Sequence, residues 1–119
     1  MNNLTETRLL SEQQQQILNY YSVEDINDVI QYLNNHPHLI NFLLDAPTEI
    51  RNYFPTEKLK LWLLVDPDST AWEKLVLSIC TQPEYVDAAA NKLDLFDENW
   101  WLKASVGISV NLCINLDFE

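Results

Sequence analysis

The 119-residue sequence predicts a single α+β domain in which N-terminal helices precede a β-β-α-β unit. Apolar residues recur at helical spacing through residues 1–55 and then alternate with polar ones in three stretches of residues 56–119. Nothing repeats and no linker composition separates the halves, so residues 1–119 should form one domain. The predicted sheet is three-stranded and antiparallel, with order 2-1-3, and packs against the helices.

The helical half contains recognisable start and stop signals. Ser11–Gln14 fits a capping box, and Ser22–Asp25 is typical of a second helix start. Pro37 can begin a third helix at its first position. Because Pro47 would remove an amide from a helix interior, Asp45 is expected to be a cap or a kink point before one last helical turn.

Three stretches of the second half alternate at period two, which indicates strands with one buried face. The apolar positions are Leu59, Leu61, Leu63 and Val65 in strand one, Leu75, Leu77 and Ile79 in strand two, and Ile108, Val110, Leu112, Ile114, Leu116 and Phe118 in strand three. Strands one and two form a hairpin. If the helix that follows returns the chain to the start of the sheet, strand three runs antiparallel to strand one and pairs with it.

The segment between strands two and three is predicted to be helical. Thr81–Glu84 is a capping box with a proline in the first turn. Asp97 is expected to cap a second, short helix that contains Trp100 and Trp101. Gly107, the only glycine, lies just before strand three, where a positive φ is expected.

The charge is strongly acidic, with 18 acidic and 7 basic residues and a net charge of −11. Phosphate backbones and anionic lipids repel such a surface, so nucleic-acid binding and membrane binding are not expected. A basic protein partner would be attracted. The N-terminus lacks a signal-peptide pattern and no apolar stretch approaches membrane-spanning length, so the sequence predicts a soluble cytoplasmic protein.

Two carboxylates, Asp66 and Asp68, lie together at the apex of the predicted hairpin. A calcium loop counted from Asp66 would need a glycine at its sixth position and a glutamate at its twelfth. Those positions are Ala71 and Leu77, so the pattern fails. Asp, Pro, Ser and Thr are the residues that turns prefer, and the segment is interpreted as a polar turn.

The remaining chemical side chains form no complete site pattern. His36 and His38 flank a proline, but a closed zinc site usually takes four ligands. Cys80 and Cys113 should lie on the outer strands, one strand apart and too far for a disulfide. No basic residue adjoins either cysteine to activate it. We therefore expect no catalytic, cofactor-binding or metal-binding residues and no cofactor.

The four tryptophans are more informative, and they supply most of the interaction candidates. Trp62 and Leu64 occupy the sheet face opposite the main apolar set. Either the N-terminal helices cover that face, or it is an exposed apolar patch that can bind a partner. Trp100 and Trp101 are adjacent and are not both expected to face the core, since neighbouring helix positions point about 100° apart.

Three runs carry a resemblance to a known group of proteins: "LLDAPTEIRNYFP" (residues 43–55), "LKLWLLVDPD" (residues 59–68) and "FDENWWLKAS" (residues 96–105). Over roughly residues 38–118 the chain resembles a small family of stand-alone bacterial α+β proteins without an assigned activity. The resemblance implies a small cytoplasmic protein that acts through contact with another protein, antitoxin-like partners included. It implies no catalytic or binding residues, and residues 1–35 lie outside it.

The leading prediction is therefore a non-enzymatic protein–protein interaction module, with a protein partner or a second copy of itself bound through Trp62, Leu64, Trp100 and Trp101. An acidic, antitoxin-like neutraliser of a basic partner is one concrete version. The alternative is a small ligand-binding domain or enzyme with a pocket between the helical half and the sheet, lined by Tyr53, Trp62 and Asp66.

Overall fold

The computed structural model describes residues 11–66 and 69–118, and for Asp66 and residues 69–72 it describes the backbone alone. The helices are α1 (Ser11–Tyr20), α2 (Ile26–Asn35), α3 (His38–Ile50), α4 (Val86–Phe96) and the one-turn α5 (Leu102–Ala104). The strands are β1 (Ser22–Val23), β2 (Lys58–Asp66), β3 (Ser69–Thr81) and β4 (Leu112–Phe118). The predicted α+β class and the β2–β3 hairpin are confirmed. The hairpin tip, including Asp68, lies outside the described residues.

The predicted three-stranded antiparallel sheet is wrong, because the sheet has four strands in the order β1-β2-β3-β4 and is mixed. β2 and β3 pair antiparallel, whereas β1 pairs with β2 and β4 pairs with β3 in parallel. The unpredicted strand, β1, falls where a helix start was expected. Its two residues lie opposite Lys60 and Leu61, and α2 begins only after Asp25, which adopts a left-handed φ of 52°.

The position of β1 explains why the predicted strand order fails. β4 does run antiparallel to β2, but β1 already occupies the free edge of β2, so β4 pairs with β3. A parallel neighbour needs a crossover of a dozen or more residues. Residues 82–111 provide it, and the helical stretch from α4 to α5 returns the chain along β3, so that β4 starts opposite Leu75.

Helix α3 continues through Pro47 to Ile50, so the predicted cap or kink at Asp45 does not end it. A proline at this position removes the hydrogen bond to the carbonyl four residues earlier, which is that of Leu43. That oxygen accepts a hydrogen bond of 2.7 Å from the hydroxyl of Tyr21 instead. The helix therefore passes through its proline without leaving a buried carbonyl unpaired.

The second half departs from prediction at two junctions. Asp97 does not cap a new helix, because α4 runs directly into a π-helical turn, Asp97–Trp101, and then into α5. β4 begins at Leu112 rather than Ile108, and the Leu112 amide donates to the Ile108 carbonyl as in a helical turn. Gly107 has the expected positive φ, 79°, but it lies five residues before the strand.

One core holds the helices against one face of the sheet. Its fully buried side chains come from α2, α3 and the segment after it, from the inward positions of the strands, and from the end of α4: Leu33, Leu39, Leu43, Ile50, Phe54, Leu59, Leu61, Leu75, Leu77, Ile79, Phe96 and Leu112. Fully burying one such side chain contributes about 1.5–3 kcal/mol. Within the described part of the chain, no helix combines the length and the apolarity that crossing a membrane requires.

Candidate functional site: the outer face of the sheet

The face of the sheet that points away from the core is the surface on which Trp62 and Leu64 lie. We call it the outer face. Side chains alternate along each strand, so the register defines its members. They are Lys58, Lys60, Trp62 and Leu64 on β2, Lys74, Val76, Ser78 and Cys80 on β3, and Cys113, Asn115 and Asp117 on β4. The described helices pack on the opposite face, and none of these residues belongs to the main hydrophobic cluster, although Val76, Ser78 and Cys80 are buried.

An apolar row crosses the middle of the outer face. Trp62, Val76 and Cys113 are consecutive register partners on β2, β3 and β4. Val76 is only 1% exposed and lies between Trp62 and Cys113 in the register. Leu64, one position further along β2, is 47% exposed. A large apolar side chain that faces solvent therefore lies next to the row.

A chain of hydrogen bonds holds Trp62 in place. The indole Nε1–H of Trp62 donates to the Ser78 hydroxyl at 3.0 Å, and that hydroxyl donates to Asn115 Oδ1 at 2.8 Å. The chain connects β2, β3 and β4, and Ser78 is buried beneath it. A tryptophan fixed in this way loses little side-chain entropy when a partner binds, which favours affinity.

The charged groups of the outer face form a second link across the sheet. Lys60 Nζ lies 2.8 Å from Asp117 Oδ2 on β4 and 3.9 Å from Glu24 Oε2 beside β1. The hydrogen bond to Asp117 raises the pKa of Lys60 above its ordinary value. With Lys58 and Lys74, this face carries three of the seven basic residues of the chain. Among its described side chains the outer face is thus not acidic, in contrast to the chain as a whole.

Neither cysteine provides reactive chemistry on this face. Cys80 and Cys113 lie on adjacent strands rather than one strand apart as predicted, but Cys113 is opposite Val76, four residues along β3 from Cys80. Both are free thiols, as expected. Burial raises the pKa of the Cys113 thiol, which keeps it protonated and weakly nucleophilic.

The other two predicted interaction residues lie on the helical side. Trp100 and Trp101 are half-buried, and both pack against Phe42, with ring centroids 5.2 and 5.5 Å from it. The expectation that only one of them could face the core is therefore wrong, because Phe42 lies against both rings. The structure does not bring this pair together with Trp62 and Leu64.

Tyr53 and Trp62, predicted to line a pocket between the helices and the sheet, do not lie together, and the side chain of Asp66 lies outside the described residues. Tyr53 accepts a hydrogen bond from Asn99 and packs against Phe96, while Trp62 lies on the outer face.

A different cleft of about 360 Å³ opens between α2 and the β2–β3 hairpin, where Tyr32 and His36 stack at 4.1 Å between ring centroids.

The histidines participate in local contacts near this cleft. His36 Nδ1 lies 2.9 Å from the Tyr32 carbonyl oxygen, and His38 Nε2 lies 3.3 Å from Asn111 Oδ1. Within the described ranges, no group of three or more His, Cys, Asp or Glu side chains could hold a metal ion. The cleft provides polar walls, and its residues form no constellation of nucleophile and base.

Sequence reasoning missed Ser78 and Asn115, which fix the position of Trp62. Alternation alone places both on the polar side of their strands and assigns them no partner. Their partnership depends on the β3–β4 register, which alternation alone does not specify.

Comparison with known proteins finds no matching family model, no similar curated protein and no matching solved structure. The resemblance described above therefore stays a prediction.

Proposed function

We propose that this chain is a non-enzymatic protein–protein interaction module that binds a protein partner on its outer face. The observation that carries the proposal is Trp62, which is fixed by Ser78 beside the exposed Leu64 on a sheet face that no described helix covers. Tryptophan is favoured at the energetic centres of interfaces, and a polar rim normally surrounds such a centre. Lys58 and Lys74 provide polar groups at opposite ends of this face.

The distribution of charge suggests what the partner presents. The net charge of −11 attracts a basic protein over a distance and increases the rate of encounter. A basic toxin neutralised in the cytoplasm by an acidic, antitoxin-like protein is one such pair. The contact itself would be apolar, with acidic groups of the partner near the lysines of the outer face.

Binding should depend on Leu64 and not on apolar residues elsewhere. A partner captured from the native host is purified, and its affinity is measured for the original chain, for Leu64→Lys and for the matched control Leu102→Lys. Leu102 is 62% exposed and lies in α5, on the helical side. We expect Leu64→Lys to cost about 2 kcal/mol or more of binding free energy, as truncation at an interface centre does. The control should bind like the original chain.

Trp62→Ser provides a second variant, with circular dichroism to show that the fold is kept. Unchanged affinity for both Leu64→Lys and Trp62→Ser would exclude the outer face as the binding surface. Equal weakening by Leu64→Lys and Leu102→Lys would exclude it as well.

A further inference from the structure

The two edges of the sheet differ in how they are protected. One edge is β1, which has two residues and leads directly into α2. The other is β4, which has seven residues, and among the described strands its only neighbour is β3. Natural edge strands are usually protected by lysine, proline, a bulge or shortness. The sequence of β4, LCINLDF, contains neither lysine nor proline, and its pairing with β3 is continuous.

The pairing with β3 determines which backbone N–H and C=O groups of β4 do not take part in the β3–β4 ladder. The Leu75 amide donates to the Asn111 carbonyl. In a parallel ladder every second residue of a strand bonds to the same neighbour, so residues 113, 115 and 117 of β4 also direct their backbone groups to β3. The alternate residues therefore direct their N–H and C=O groups to the open edge. The Leu112 amide is bound to Ile108, and among the described strands none lies beside the central amides of that edge, those of Ile114 and Leu116.

We propose that β4 pairs antiparallel with β4 of a second copy of this chain, so that the two sheets join into one of eight strands. In the fully overlapping register, Ile114 of one copy exchanges hydrogen bonds with Leu116 of the other, and the two copies of Asn115 meet on the two-fold axis. The proposal goes beyond partner binding on the outer face and does not depend on it.

The side chains of β4 suit this pairing. Asp117 is the only charged residue in the strand, and Lys60 of the same chain neutralises it. In the overlapping register Asp117 lies opposite Cys113 of the second copy, so like charges do not face each other. Asn115 both donates and accepts, so two copies are compatible across an axis. The half-buried Ile114 and Leu116 would cover one another on the core side.

Amide hydrogen exchange of the full chain tests the pairing without any substitution. We expect the amides of Ile114 and Leu116 to exchange rapidly at low protein concentration and to become protected as concentration rises, while the mass measured by light scattering approaches twice 13.9 kDa. Added salt should strengthen association, because it screens repulsion between two chains of charge −11. A chain that stays monomeric, or a dimer in which these two amides exchange as in the monomer, would overturn the proposal.

Cross-linking tests the register. Residues directly opposite at a non-hydrogen-bonded position lie about 4.5 Å apart between Cα atoms, within the range for a disulfide. Asn115→Cys, in a chain that also carries Cys80→Ser and Cys113→Ser, should form a disulfide-linked dimer on oxidation. Asn41→Cys, an exposed asparagine of α3 replaced in the same background, should not. Equal cross-linking of the two variants would contradict the pairing.

A charge at the axis gives the converse test. Asn115→Lys places two lysines opposite each other and should yield a monomeric mass, whereas Asn41→Lys should keep the dimer. A dimer that survives Asn115→Lys would overturn the proposal. Leu64→Lys should leave the dimer intact. This variant therefore tests partner binding on the outer face without testing dimer formation through β4.

Discussion

The hydroxyl of Tyr21 is the hydrogen-bond partner of the Leu43 carbonyl, at 2.7 Å, in place of the amide that Pro47 lacks. All three residues are buried. A side chain that lies just before β1 thus completes the backbone hydrogen bonding of α3. The two residues that form this hydrogen bond are 22 positions apart in the sequence.

Tyr21→Phe should destabilise the fold by about 1–3 kcal/mol, the usual cost of leaving a buried acceptor unpaired. The same substitution should cost less in a Pro47→Ala background, because the new amide of residue 47 can bind the Leu43 carbonyl. Urea denaturation of the four proteins of this double-mutant cycle measures the difference. Equal costs in both backgrounds would show that the hydroxyl does not substitute for the missing amide.

Stability should fall in alkaline solution, and Tyr21 should account for part of the fall. Burial, reinforced by Tyr20, raises the pKa of Tyr21 far above its ordinary value of 10.0. Because the folded state holds the proton more tightly, the contribution of Tyr21 is complete below pH 10.0 and is lost as the pH rises above it. Urea midpoints measured across this range should fall less steeply for Tyr21→Phe. Some dependence should persist in that variant, because the pKa of Tyr32 is also raised by burial.

Removing the Ser78 hydroxyl should release Trp62. Ser78→Ala deletes the acceptor of the indole N–H and the donor to Asn115, at a cost of about 0.5–1.5 kcal/mol for each of these two hydrogen bonds. The indole proton of Trp62 should then exchange faster in NMR spectra. Ser109→Ala, at an exposed position before β4, is the matched control and should change neither quantity. Unchanged indole exchange in Ser78→Ala would mean that other contacts hold the ring.

Trp100→Ser and Trp101→Ser should each destabilise the fold, because both rings pack on Phe42. Complete truncation of a buried aromatic side chain costs about 3–5 kcal/mol, and these half-buried residues should lose less than that. Leu64→Lys, at an exposed position, should change stability by about 0.5 kcal/mol or less. If both tryptophan variants keep the urea midpoint of the original chain, the result would instead support the prediction that Trp100 and Trp101 bind a protein partner.

The sequence predicted those elements whose periodicity extends over many residues. β2, β3 and α3 were found because each carries several turns or alternations of apolar residues. β1 was missed because two residues show no period, and its strand character comes from pairing with β2. The start of β4 was misplaced because Ile108 and Leu112 fit both an alternating strand and one turn of helix.

The candidate site was predicted only in part, for a related reason. Alternation identified Trp62 and Leu64 as apolar residues on the polar side of a strand. Whether helices cover that side depends on packing between distant segments. The support from Ser78 and Asn115 depends on a register that is established only when the crossover brings β4 beside β3.

The place of β4 in the sheet has a consequence during synthesis. β3 is buried from Leu75 to Thr81, and one of its edges stays unpaired until the final strand of the sheet arrives. A nascent chain that has emerged only as far as α5 therefore exposes the edge of its most extensively buried strand, the kind of surface on which chains aggregate. A chain truncated before Leu112 should accumulate in inclusion bodies when it is produced in cells, even though every helix remains encoded.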